Sequence, residues 1–308
     1  LAGAATTSPE PAIHPVQDLS GEVHGAHPGV LLTARGARGW RGVTRPHGEG
    51  GLGFDLSWHE PWAEHTLHYL GSDPWARHHA HRDLVALLTE AYTENGLLPL
   101  SHDHARPRGE EPGEGSLLAR MPGDEWQKRA ALRLLLGYLY GCPGKKLLFM
   151  GGELAQWHRW RPGQSLDWHL LAQPGHQRVR DWLRDLNHHY RRLPALYQRD
   201  FTRDGLEWVD FGDVDAGIVA FLRHGNDPGQ PVLVVCNFNP APRYALRLGV
   251  PRAGSWREVL NSDAELYGGS GRGNFGAVEA HPVPAHGHFQ SLVLDLPPLG
   301  VLYLQPET

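Results

Sequence analysis

Ser101, His102 and Asp103 stand together at the tip of a strand expected over 97–101, where an apolar run breaks off into polar residues. Serine, histidine and aspartate are the parts of a nucleophilic relay. Adjacent side chains on an extended chain point to opposite faces, however, and a relay needs its three groups to converge through hydrogen bonds. What a strand tip does allow is a carboxylate and an imidazole presented to a ligand from a rigid frame. The structural alternative is that Asp103 caps the following turn and His102 is an ordinary loop histidine. The run 77–83 offers His78, His79 and His81, but a metal site wants three or more convergent ligands, and no Cys, Asp or Glu completes a known spacing. A solvated helix surface is the expectation there, and no metal is expected. The glycine-rich stretch 268–274 lacks the Gly-Lys-Ser/Thr ending of a phosphate loop and is read as a loop between strands.

The elements that must position these groups change character along the 308 residues. Residues 1–28 are rich in Ala, Thr, Pro and Gly without an apolar period, and an irregular lead-in is expected. Over 29–200 strand, loop and helix alternate. The short apolar runs 30–32 and 51–54 read as buried strands; Trp58, Trp62, Leu67 and Leu70 mark a helix with Pro61 in its first turn; a second helix runs from Asp83 to about Asn95. The clearest helix has Asp124 as N-cap, a stripe of Trp126, Ala130, Leu134 and Tyr138, and Pro143-Gly144 to stop it. After a strand at "KKLLFM", a last helix over 177–193 carries Val179, Leu183, Leu186 and Tyr190, and Pro194 ends it. From 201 to 308 short alternating segments divided by Gly, Pro, Asn and Asp predict a β-sandwich. The expected class is therefore α/β followed by all-β, with polar clusters at the C-terminal ends of parallel strands, the edge where α/β folds build sites.

Composition narrows the function. A net charge of -5 without a basic block supplies no footprint for a phosphate backbone, so nucleic acid is not an expected partner. No window approaches the roughly 18 uninterrupted apolar residues of a membrane helix, so no membrane is expected either. Cys142 and Cys236, the 2 cysteines, each sit in an apolar run and read as buried thiols. The opening residues show no basic-then-apolar leader pattern, and a reducing cytoplasm is the expected compartment. The 11 tryptophans offer flat faces that suit sugars as well as cores.

A longer pattern runs through 29–305: "GVTRP", "GGLGFDLSWHEPWAEHTLHYL", "YTENGLLPLSHD", "MPGDEWQK", "PGKKLLFMGGELAQ", "SLDWHLL", "SWREVLNSD" and "LPPLGVLYL", in that order. It resembles the bacterial α-1,4-glucan branching enzymes of glycoside hydrolase family 13. The resemblance implies the second half of a (β/α)8 TIM barrel followed by a C-terminal β-sandwich, with the first four strand units outside this sequence. It implies a transfer of an α-1,4-glucan segment to a 6-hydroxyl, making an α-1,6 branch in glycogen. Such retaining chemistry uses two carboxyl groups about 5 Å apart, one as nucleophile and one as acid/base, and a third that stabilises the oxocarbenium-like transition state. By resemblance Asp103 is the stabilising carboxylate, His102 contacts sugar hydroxyls, and Glu153 and Asp167 lie at the active-site rim; Trp58 is read as an aromatic that contacts substrate. Hydrogen bonding within the fold is the plainer role for Glu153 and Asp167. Where the acid/base segment belongs, the chain has Arg35, Gly36 and Ala37, none of which donates a proton as a carboxylic acid does. The loop after Asp103 is acidic, with Glu110, Glu111 and Glu114, and reads as a solvated loop. No cofactor is implied, since the donor bond energy is conserved in a glycosyl ester. The oligomeric state is not legible.

Three functions are thus in play: a branching transferase of which this chain is a part, a glucan-binding module that grips through Trp58, Trp157 and Trp160 without reacting, and an amylase-type hydrolase. "MPGDEWQK" and "SLDWHLL" favour the branching group over the last.

Overall fold

The computed structural model describes residues 13–36, 40–89, 92–102 and 115–307. Asp103, Ala37, Glu110, Glu111 and Glu114 lie outside the described residues. Among the described residues no helix is long and apolar enough to cross a membrane.

The lead-in expected to be irregular contains a helix, α1 (Ile13–Ala26). Polar contacts hold it: Ser20 Oγ donates to Leu52 O at 2.7 Å, Gln17 Nε2 donates to Gly51 O at 2.8 Å, and His24 Nε2 lies 2.9 Å from Asp55 Oδ2. An apolar period could not reveal a helix anchored this way.

Four parallel strands follow, β1 (Thr33–Ala34), β2 (Leu56–Trp58), β3 (Gly96–Leu100) and β4 (Lys145–Leu148), hydrogen-bonded in that order. Two boundaries differ from the expectation. Val30 and Leu31 are exposed, and pairing starts only at Thr33, because β1 is an outer strand of this sheet with a neighbour on one side. Residues 51–54 form a loop: their N–H groups bond to the carbonyls of Pro46, Gly42, Arg45 and Val43, so nothing is left for a sheet ladder. Between the strands run α2 (Glu60–Gly71), α3 (His81–Thr89) and α4 (Glu125–Gly141), and after β4 comes α5 (Pro174–Arg192).

α4 is the centre of the molecule. Asp124 and Gln127 form a reciprocal capping box, with Asp124 Oδ1 accepting from Gln127 N at 2.8 Å and Gln127 Oε1 from Asp124 N at 3.0 Å. From Ala130 to Gly141 every residue is buried, the mark of a helix enclosed on all sides. Trp126, expected on its buried stripe, is 38% exposed because the first turn stands clear of the packing.

On one side of α4 lies the parallel sheet with its helices. On the other lies an antiparallel sheet made of β5 (Leu206–Asp210), β6 (Ile218–Arg223), β7 (Val232–Asn237), β9 (Gly254–Asn261), β10 (Ala277–Ala280) and β12 (Gly300–Pro306), in the order β10-β9-β12-β7-β6-β5. The two-stranded antiparallel sheet of β8 (Arg243–Val250) and β11 (Gln290–Leu296) covers its outer face. Alternate residues obey this division: Val219, Phe221, Val234, Cys236, Val301 and Tyr303 face the α4 core, whereas Ala220, Leu222, Leu233, Val235, Leu302 and Leu304 face the β8–β11 pair. Both faces of β6 and β7 are therefore buried, which is why these strands read as continuous apolar runs. Cys142 and Cys236 are buried free thiols within this core.

Three buried arginines stitch the two sides. Arg223 donates to Gly141 O at the end of α4 at 2.7 Å, to Gly205 O at 3.0 Å and to Asp200 Oδ1 at 2.8 Å, and Lys145 Nζ reaches Asp200 Oδ2 at 2.9 Å. Arg133 Nε donates to Ser262 O at 2.8 Å, and Arg77 bridges Leu70 O at 2.8 Å and Phe238 O. A cation that closes a helix C-terminus also meets its partial negative charge.

Two outcomes follow for stability. A methyl at Gly137 would lie 2.2 Å from Val301 Cγ1, so Gly137→Ala forces overpacking at a cost of about 1–3 kcal/mol, which outweighs the up to about 1 kcal/mol of helix propensity gained; denaturant midpoints measure the difference. Burial works against ionisation of Asp200, but Lys146, Arg223 and Lys145 outweigh it and hold the carboxyl below its ordinary value. A depressed carboxylate contributes stability that is present above its unfolded pKa and lost as pH falls through its folded one. Asp200→Asn should therefore unfold more easily near neutrality and show a flatter acid limb, read by urea unfolding from about pH 5 downward. Asp200→Ala, which strands Arg223, should cost about 3–5 kcal/mol.

Candidate functional site

The parallel pairing of β3 and β4 brings together two residues that are 47 positions apart by sequence number, His102 and Phe149. Leu100 pairs with Leu148, and Phe149 N donates to Leu100 O at 3.0 Å, so the chain leaves both strands side by side. The rings of His102 and Phe149 have centroids 4.5 Å apart, and Trp160 closes a triangle at 5.1 Å from His102 and 5.2 Å from Phe149. Ser101 Oγ lies 3.2 Å from His102 Nδ1. These groups border an open, shallow cleft completed by Ser116, Met150, Gln156, His158 and Arg159.

The loop after β4 is shaped by glycine. Gly151 has φ 88°, and Gln156 occupies the space where a Cβ would stand, its Cδ 2.5 Å away. Glu153 Oε2 accepts from Gly151 N at 2.9 Å, and buried His176 on α5 places Nδ1 2.9 Å from Leu154 O. The start of the loop that carries Trp160 is thus fixed to its own turn and to α5.

The expected site residues divide accordingly. His102 lines the cleft. Asp103 is the next residue and lies outside the described residues. Glu153 spends one carboxylate oxygen on its own turn. Asp167 stands on the rim with Oδ2 3.3 Å from Nδ1 of His158, an exposed histidine that lines the cleft. Trp58, at the end of β2, has the Arg35 guanidinium 4.7 Å from its ring centre, and Arg35 Nε donates to Glu60 Oε1 at 3.1 Å. Trp157, proposed from sequence as a gripping aromatic, packs against the core beside His176 and Arg129. His81 is buried with its Nδ1 3.0 Å from the Tyr69 hydroxyl, so the histidine run is no solvated face throughout. Sequence reasoning missed Phe149 and His158; the apolar strand breaking into a polar tip at 148–151 was the available signal for the first.

Chemically the described lining offers aromatic faces, hydroxyl, amide, imidazole and guanidinium groups, and none of its residues carries a carboxyl group. It can stack on and hydrogen-bond a polyhydroxylated ligand; it cannot by itself perform two-carboxylate chemistry. Among the described residues no group of three or more His, Cys, Asp or Glu is placed to hold a metal ion.

Residues 208–307 match the family model described as the alpha amylase C-terminal all-beta domain. The chain is 48% identical over 290 residues to the 1,4-alpha-glucan branching enzyme of Cellvibrio japonicus, covering 94% of this chain and 38% of that protein. It is 46% identical to the branching enzyme of Aquifex aeolicus, covering 96% of this chain and 46% of that one. The chain thus spans about two fifths of the length of the curated relatives it matches. Among solved structures, the alpha-amylase from H. orenii matches with a TM-score of 0.58 at 16% identity, over 98% of this chain and 58% of that one. Ttha1563 from Thermus thermophilus matches at 0.64 and 19%, with the same coverage. These two likenesses are likenesses of fold, and the β-rich C-terminal region matches the amylase all-beta domain.

The hydrogen bond of Glu153 sets an expectation for its variant. Glu153→Ala should lose about 1 kcal/mol of stability, the usual net worth of one such bond, and loosen the loop bearing Trp160. Amide exchange at Gly151 and a thermal melt measure both, and Glu153→Gln should retain most of the stability.

Proposed function

Because this chain corresponds to the C-terminal portion of the glycogen branching enzymes, we propose that it supplies half of the site that cuts an α-1,4-glucan and rejoins the piece as an α-1,6 branch. In this reading 29–200 is the second half of a (β/α)8 barrel, β1 to β4 being its last four strands, and 201–308 is the β-sandwich behind it. The protein works in the cytoplasm, where glycogen is made. The observation that carries the reading is the ring triangle of His102, Phe149 and Trp160 at the C-terminal ends of β3 and β4, directly before Asp103. Flat rings take up the C–H faces of glucose units, and imidazole and amide groups bind their hydroxyls.

Each residue has a stated part. Asp103 stabilises the positive charge that develops on the sugar ring as the donor bond breaks. His102 binds hydroxyls beside it, Trp58 offers an aromatic face at the end of β2, Asp167 positions His158 on the rim, and Glu153 holds the start of the Trp160 loop. The nucleophile belongs to the other half of the barrel, and the acid/base position falls just after β1, where this chain has Arg35, Gly36 and Ala37.

One observation favours binding without reaction by this chain alone. At the end of β1, where an acid is expected, Arg35 lies over Trp58 and bonds to Glu60. A cation there cannot protonate a leaving glycosidic oxygen, and electrostatic stabilisation alone does not replace covalent catalysis when its partners are absent. Iodine-stained amylose tests this. The purified chain should leave the colour unchanged while binding amylose, and Trp160→Ala should weaken that binding about tenfold, about 1.4 kcal/mol. Colour loss that disappears in Asp103→Asn would show a chain competent for catalysis and end the binding-only reading; amylose binding indifferent to Trp160→Ala would end the assignment of the cleft.

A further inference from the structure

A second concavity of about 390 Å³ lies where the end of α2 meets the antiparallel sheet. Its lining shares no residue with the cleft of His102 and Trp160. The two stand at opposite ends of the parallel layer: the cleft is at the strand ends, whereas α2 runs back from β2 through 12 residues, about 18 Å, before the second concavity begins.

Its most unusual feature is Trp75, which lines the hollow yet is 88% exposed. The ring is held out by its backbone: Trp75 N donates to Asp73 Oδ1 at 2.9 Å, and Trp75 O lies 2.7 Å from Nδ1 of His78. The floor is rigid. Arg77, 3% exposed, is committed to the carbonyls of Tyr69, Leu70 and Phe238, and Tyr69 bonds to His81. Across the hollow, Asn239 accepts from Ala241 N at 2.9 Å through Oδ1, which aims the side chain and leaves its amide nitrogen without a partner among the described residues. Asp215 on the same rim is exposed.

An open indole face, a fixed amide donor and two carboxylates at Asp73 and Asp215 define the ligand by its chemistry. An anion meets two like charges, and the one cation in the lining is already spent on carbonyls. A purely apolar segment would leave the carboxylates and the amide desolvated without partners. A neutral chain of sugar rings satisfies both demands, stacking one pyranose on Trp75 and giving hydroxyls to the carboxylates and the amide. We propose that this concavity is a second α-1,4-glucan site, which holds a glucan chain remote from the cleft; the choice of glucan rests on the function proposed above. A site of this kind raises the local concentration of chain ends at the cleft without taking part in the reaction.

Native electrophoresis through gels containing amylose tests it, with maltoheptaose titrated against tryptophan fluorescence for affinity. Trp75 is exposed, so Trp75→Ala should fold as the parent does, which circular dichroism checks. Expected are a loss of retardation of about fivefold or more in Trp75→Ala, a smaller loss in Asn239→Ala, an additive loss when Trp75→Ala is combined with Trp160→Ala, and no retardation by dextran. Retardation unchanged by Trp75→Ala overturns the second site whatever Trp160→Ala does. A loss with Trp75→Ala but none with Trp160→Ala upholds it and overturns the cleft instead. If Trp75→Ala leaves retardation intact and converts an oligomer to a monomer in size-exclusion chromatography, the surface is a self-association face and the inference falls.

Discussion

At Gly137 and Gly141 there is no room for a side chain: a Cβ would stand 2.2 Å from Val301 Cγ1 at the first and 2.9 Å from Val234 Cγ1 at the second. α4 can therefore lie directly on β7 and β12, and Tyr303 reaches across to donate its hydroxyl proton to Gly137 O at 2.6 Å. One continuous core results, running from Trp62 and Tyr69 through Tyr138 to Phe221, Val234 and Tyr303. Loss of this close approach would separate the parallel layer from the antiparallel one, since an inserted methyl in a packed core has nowhere to go.

The seam also explains the placement of charge. Arg223, Asp200 and Lys145 meet at the point where α4 ends and β4 begins, so the same ionic group that closes the helix sets the start of the strand. β4 in turn pairs with β3 and brings Phe149 beside His102. The geometry of the cleft is in this sense a consequence of how α4 is seated. A buried ion pair is seldom a large net source of stability, but removing one partner is costly, and that asymmetry keeps such a group at a junction of several elements.

The two concavities differ in what fixes them. Around His102 the frame is backbone pairing between parallel strands, with a glycine-shaped loop folded over it. Around Trp75 the frame is Arg77, whose guanidinium ties α2 to the end of β7. Both set aromatic faces beside several polar side chains.

Much of this was legible in the residues themselves. Periodicity and punctuation located α2, α4 and α5, the N-cap at Asp124, and the change to short strands after 201, because local pattern and capping chemistry are written in consecutive positions. The ordered motifs pointed to the branching enzymes, and the strand tip at Ser101 to His102 marked the cleft. Tertiary structure alone decided the rest. α1 is fastened by Ser20, Gln17 and His24 to a distant loop, which no apolar period records. Val30 and Leu31 look like core but lie exposed outside the pairing of an outer strand. Trp157 and Trp160 are three residues apart and equally aromatic; one packs on the core and the other faces the cleft. Residue type records what a side chain can do, but which face it meets depends on elements brought together from far along the chain, and that information lies in no single stretch of sequence.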